Sequence, residues 1–88
     1  MNRLDYAQIP PHMMAALRRY IDWHSPVGGF LTAVLTNDLK KTCSWADDVN
    51  IKIIQVYIWW LHNEAPNAAW GSVEKHRAWL AAVKEPQA

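Results

Sequence analysis

The chain has 88 residues, 9 basic and 8 acidic, for a net charge of +1, and 51% of it is apolar. That length gives one domain with a modest core, and that composition excludes a disordered chain. The near-neutral balance argues against both a basic nucleic-acid-binding stripe and an acidic nucleic-acid mimic.

The first residues, "MNRLDYAQIPPHMM", contain no apolar signal-peptide region. Residues 1–9 read as an irregular lead-in. Pro10 biases Ile9 towards extended backbone, and Pro11 suits the first turn of a helix. A first helix is expected from Pro11 to about His24. At about 100° per residue, Met13, Met14, Leu17, Tyr20, Ile21 and His24 share one side, with His12, Arg19 and Trp23 opposite. "SPVGG" breaks the chain, and a second helix starts near Phe30 with Leu31, Val34, Leu35 and Leu39 on its face. Asp38 falls awkwardly near the middle of that face. Either the helix stops at Thr36-Asn37, with Asn in a left-handed cap, or it continues and Asp38 is buried with a partner.

"SWAD", Ser44 to Asp47, resembles a capping box and predicts a third helix from Trp45 to about Glu64, stopped by Pro66. The β-branched residues Ile51, Ile53, Ile54, Val56 and Ile58 would also suit a strand. The stripe Ala46, Val49, Ile53, Val56, Tyr57 and Trp60 and the lack of a hairpin partner favour the helix. "IIQVYIWWLHNEAP" is too short for a bilayer, which needs about 20 apolar residues. "PNAAWGS" reads as a loop in which Ser72 caps a last helix over Val73 to Val83. Val73, His76, Leu80 and Val83 form its stripe, and Glu74 sits at its positive end. The expectation is an all-α single domain over residues 1–88: a compact bundle of about four helices, the third central, with 84–88 a frayed tail.

Six tryptophans in so short a chain carry the functional argument. Burying one removes roughly 150–250 Å² from water, several kcal/mol at about 25 cal/mol per Å². Trp59 and Trp60 differ by about 100° around their helix. Trp60 lies with the core stripe. Trp59 lies in the polar sector with Asp48, Lys52, Gln55 and His62. Trp23 is displaced in the same way, beside Arg19 and His12. Either a neighbouring segment covers these rings, or they anchor a partner, as tryptophan and arginine do at interface hot spots. The candidate partner-binding residues are Trp23, Trp59, Arg19, His62 and Lys52. Ile51 and Ile58 make a further shoulder, and a helix apolar nearly all round is central or shared with another chain, so a homo-oligomer fits as well.

Gly28 and Gly29 precede a helix start, where free N–H groups hold anions, although no phosphate-binding fingerprint accompanies them. With Lys40 and Lys41 they form a candidate anion site, and a tight turn with a solvated lysine pair is the simpler account. The single cysteine, Cys43, closes no intramolecular disulfide, which fits a reducing cytoplasm. No histidine is spaced to activate it, so it reads as a buried structural thiol and not a nucleophile. His62 and Glu64 diverge on a helix, and no other close pair suits a metal. "FLTAVLTNDL" offers no basic residue for a recognition helix. No catalytic residue, metal or cofactor is expected.

"IPPHMMAALRRYI", "GGFLTAVLTNDLKK" and "WLHNEAPNAAWGSVEKHRAWL" together resemble a group of short accessory proteins of tailed bacteriophages and prophages. The resemblance covers most of the chain and brings no activity with it, so no functional residue transfers. Ala69 stands where that group has a cysteine, which counts against thiol chemistry there. The resemblance implies a phage gene acting in the bacterial cytoplasm. The leading expectation is therefore a non-enzymatic protein that binds a bacterial host protein, as an anti-CRISPR-like anti-defence inhibitor. A second reading is a small-molecule binder such as a cyclic-nucleotide sponge, with a base on tryptophan and phosphate on Arg or Lys. A third is weak nucleic-acid binding, which the charge balance disfavours.

Overall fold

The computed structural model describes residues 5–82, and these are helical, with no strand among them. Five α-helices follow in order: α1 Pro11–Trp23, α2 Gly29–Leu35, α3 Leu39–Trp45, α4 Ile54–Glu64 and α5 Val73–Ala81. One-turn 3-10 helices stand at Tyr6–Gln8, Asn50–Ile53 and Asn67–Ala69. The expected frayed tail and Val83 lie outside the described residues. No described helix is long and apolar enough to cross a membrane.

The lead-in is more ordered than its composition suggests. The Asp5 carboxylate accepts from the Ala7 amide at 2.9 Å and caps the first 3-10 turn. Ile9, next in line, is buried in the core. α1 begins on Pro11 as expected and ends on His24, whose φ of 58° gives a left-handed cap. Leu17 and Tyr20 are fully buried, and Met13, Met14 and Ile21 pack partly against the core. The face carrying His12, Arg19 and Trp23 is exposed.

α2 buries Phe30, Leu31, Ala33, Val34 and Leu35. It stops at Thr36-Asn37, with Asn37 left-handed at φ 61°. Asp38 is therefore no buried partnered charge. Its Oδ1 accepts from the Lys41 amide at 3.0 Å and caps α3, a helix the periodicity reading did not separate. Leu39 then begins a new helix axis instead of extending the α2 face, and it is 72% exposed.

The long third helix of the sequence reading is also corrected. Ser44 and Trp45 close α3; they do not open the next element. The cap lies later: Asp47 Oδ1 accepts from Val49 N at 3.1 Å and Asn50 N at 2.7 Å. The chain then makes a 3-10 turn before α4 starts at Ile54. Val49, placed in the core stripe by its spacing, is 55% exposed because it precedes the helix. Within α4 the stripe holds, since Val56, Tyr57, Trp60 and Leu61 are buried. Buried Asn50 accepts from the Tyr57 hydroxyl at 2.7 Å, which ties the 3-10 turn to α4. Burial and the nearby Asp47 carboxylate both push the Tyr57 hydroxyl well above its ordinary pKa.

α4 ends at Glu64, just before Pro66, and the loop after it is anchored to α2. Gly71, at φ 112°, donates its amide to Leu35 O at 2.8 Å and pins the loop to the end of α2. Only glycine adopts that backbone conformation without strain. Ser72 caps α5 as expected, accepting from Lys75 N at 3.1 Å. Val73 is exposed, against its place in the predicted stripe, while His76 is buried.

Candidate functional site

Two exposed helix faces carry the residues selected as partner contacts. On α4, Gln55, Trp59 and His62 follow helical spacing, all exposed, with exposed Lys52 in the preceding 3-10 turn. Trp59 is 46% exposed, whereas Trp60, one residue on, is 3% exposed and lies in the core. The 100° between neighbouring residues thus separates the two rings as expected. On α1, Arg19 and Trp23 are exposed, the latter by 62%. Ile51 and Ile58 are exposed as well.

α1 and α4 border one small groove of about 90 Å³, lined by Arg18, Ile21, Asp22, Trp60 and Glu64. Among the described residues, Arg18 reaches an aromatic ring. Its guanidinium carbon lies 6.0 Å from the centroid of Trp60, within cation–π range.

Of the four candidate anion-binding residues, Gly29 and Lys41 line one groove. Gly28 is exposed and Gly29 partly covered. The six-membered ring of Trp45 occupies the position where a Gly29 Cβ would stand. Gly29 therefore serves a close packing of ring on backbone. Lys40 is exposed. Lys41 instead joins Gly29 in a groove of about 500 Å³ between α2, α3 and α5, whose lining includes Asp38, Trp45, His76 and Arg77. Arg18 and Lys41 line different grooves. Cys43 is exposed on α3, which corrects its reading as a buried thiol. Among the described residues no three His, Cys, Asp or Glu side chains gather as a metal site requires.

The feature that sequence reasoning missed is a polar knot between the end of α1 and α5. The Tyr20 hydroxyl donates to Ala69 O at 2.6 Å and lies 3.1 Å from His76 Nδ1. The Trp79 indole N–H donates to Tyr20 O at 2.8 Å, and its ring stacks on His24 with centroids 4.2 Å apart. His24 Nδ1 meets Trp79 O at 2.7 Å, closing the set. A carbonyl only accepts, so the Tyr20 proton is spent on Ala69. His76 Nδ1 must then carry the proton that it shares with the Tyr20 oxygen. Burial pushes the Tyr20 pKa up to about 12 and lowers that of His76 below its ordinary 6.5. Both groups are neutral at pH 7. The available signal was a histidine in an otherwise apolar stripe, opposite a tyrosine in another.

No protein-family model matches the chain, and neither does any curated protein or solved structure.

Proposed function

We propose that the protein is a non-enzymatic accessory protein of phage type that binds and inhibits a bacterial host protein in the host cytoplasm, in an anti-defence role. The observation that supports this reading is Trp59. It is 46% exposed on the polar side of α4, between Lys52 and His62, while the core is already filled by Trp60. A large ring kept at the surface of a small domain forgoes the gain of burial, which partner docking restores. Arg19 and Trp23 offer a second surface of the same chemistry on α1, the helix that shares a groove with α4. The phage setting rests on the resemblance of "GGFLTAVLTNDLKK" and "WLHNEAPNAAWGSVEKHRAWL" to phage accessory proteins, and the anti-defence role is the use that such a setting suggests for a small binding protein.

The test is affinity capture from a bacterial lysate with the wild type and the Trp59→Ala variant, with the mass of the free protein measured in parallel. A host protein retained by the wild type and lost with the variant, at unchanged melting temperature, supports the proposal. Equal capture by both removes Trp59 from the interface. A free wild-type dimer that becomes monomeric on Trp59→Ala replaces the host partner with a second copy.

A further inference from the structure

The groove between α2, α3 and α5 has a chemistry that the exposed helix faces lack. One wall is Trp45, at the last position of α3. The ring lies against the backbone of Gly29, in space that any side chain there would fill. Yet Trp45 is 59% exposed. One side of the ring is thus fixed by packing while much of the rest meets solvent. That is the arrangement of a stacking platform, because a ring already held in place loses little freedom when a second ring lies on it.

The charges around the platform favour an anion. Lys41 and Arg77 line the groove with one carboxylate, Asp38. The Asp38 Oδ1 is engaged in capping α3 through the Lys41 amide. His76 also lines the groove and is neutral at pH 7, so the lining carries a net charge of +1. His76 contributes a directed acceptor. Its Nδ1–H is committed to Tyr20, so Nε2 carries a lone pair. No buried side-chain nitrogen or oxygen among the described residues lacks a partner. Nε2 has no hydrogen-bond partner among the described residues, and His76 lines the groove. The volume of about 500 Å³ falls within the range of small-molecule sites.

A planar ring, two cations and one acceptor match a heteroaromatic base carrying phosphate. We infer that this groove binds a nucleotide, its base stacked on Trp45, its phosphate held by Arg77 and Lys41, and a ring or exocyclic N–H donated to His76 Nε2. Arginine suits the phosphate through its bidentate fork, and lysine acts as a point charge. The site lies apart from the Trp59 face and stands or falls independently of the host-protein reading.

The experiment is calorimetric titration of the full chain with AMP, CMP, cyclic AMP and a cyclic dinucleotide, with adenosine and inorganic phosphate as separate arms. Trp45 and Arg77 are both exposed, so Trp45→Ala and Arg77→Gln are read in the same assay, with exposed Lys40→Gln as a control outside the groove. The expected result is saturable binding of at least one nucleotide. Adenosine and phosphate alone should each bind at least about 10-fold more weakly. Trp45→Ala and Arg77→Gln should each weaken binding about 10- to 100-fold, and Lys40→Gln should leave it unchanged. If Trp45→Ala fails to fold, Arg77→Gln alone decides. Absence of saturable binding for every nucleotide at about 1 mM, a range that detects even weak sites, overturns the inference. So does phosphate binding as tightly as the nucleotides, or an equal loss with Lys40→Gln, because either would mark simple surface charge.

Discussion

Tyr20 uses its hydroxyl for Ala69 and His76 and its carbonyl for Trp79, so one residue joins α1, the Asn67–Ala69 turn and α5. Tyr20→Phe keeps the ring and strands a buried carbonyl and an imidazole N–H. It should destabilise the fold by about 1–3 kcal/mol in urea unfolding, since a buried group without its partner bears its full desolvation cost. His76 gives the same knot a pH signature. Its folded pKa lies below the unfolded 6.5, so the unfolded chain takes up the proton first. The contribution is complete above pH 6.5 and is lost as the pH falls below it towards the folded value. Melting temperatures measured across this range should fall with acidification, and His76→Gln should reduce that slope relative to the wild type. Tyr20 acts at the other extreme: its contribution is complete below the ordinary 10.0 and is lost as the pH rises towards about 12.

At the scale of elements, the structure turns on local caps. α3 is seven residues long with only Thr42 buried, so packing alone gives it little reason to be helical. Asp38 supplies the reason, and Asn37 in the left-handed region supplies the turn that separates α3 from α2. Asp38→Ala should cost about 0.5–2 kcal/mol of stability, the usual effect of losing an N-cap, read from the denaturant midpoint at unchanged slope. The α1 boundaries and the Ser72 cap were legible because each depends on residues adjacent in sequence, and the stop of α2 at Asn37 was one of two readings that the sequence left open. The boundary between α3 and α4 was not legible. "SWAD" and "DDVN" both carry cap residues before an apolar run, and the sequence offers no local criterion to choose between them. The choice falls to Asp47 because Asn50 is held by Tyr57, one α4 turn into the core.

At the scale of the whole molecule, Trp59 and Trp60 are a matched pair for separating stability from binding. Trp60→Ala removes a ring that is 3% exposed and should destabilise by about 3–5 kcal/mol, enough to unfold a domain this small. Trp59→Ala should change stability by under about 1 kcal/mol, as surface substitutions do, while abolishing partner capture. Thermal unfolding of the two variants side by side checks the first contrast, and pull-down checks the second. Of the residues selected from sequence, those on the Trp59 face of α4 and on the Arg19–Trp23 face of α1 are exposed, which decides between the two alternatives that their angular positions left open. Of the four candidate anion-binding residues, Gly29 and Lys41 line one groove, where Trp45 covers Gly29.

Periodicity, with the lack of a hairpin partner for the β-branched run, determined the all-helical class, the buried side of α1 and the split between Trp59 and Trp60. Those features follow from the 3.6-residue turn and need no knowledge of distant contacts. Tertiary structure alone decided that Trp45 lies on Gly29, that His76 and Arg77 from α5 line one groove with Lys41 from α3, and that Tyr20 bonds to Ala69 and His76. These pairings join residues far apart in the chain. They depend on how the Gly71 amide anchors the loop before α5 to the end of α2, and no spacing within one helix encodes that.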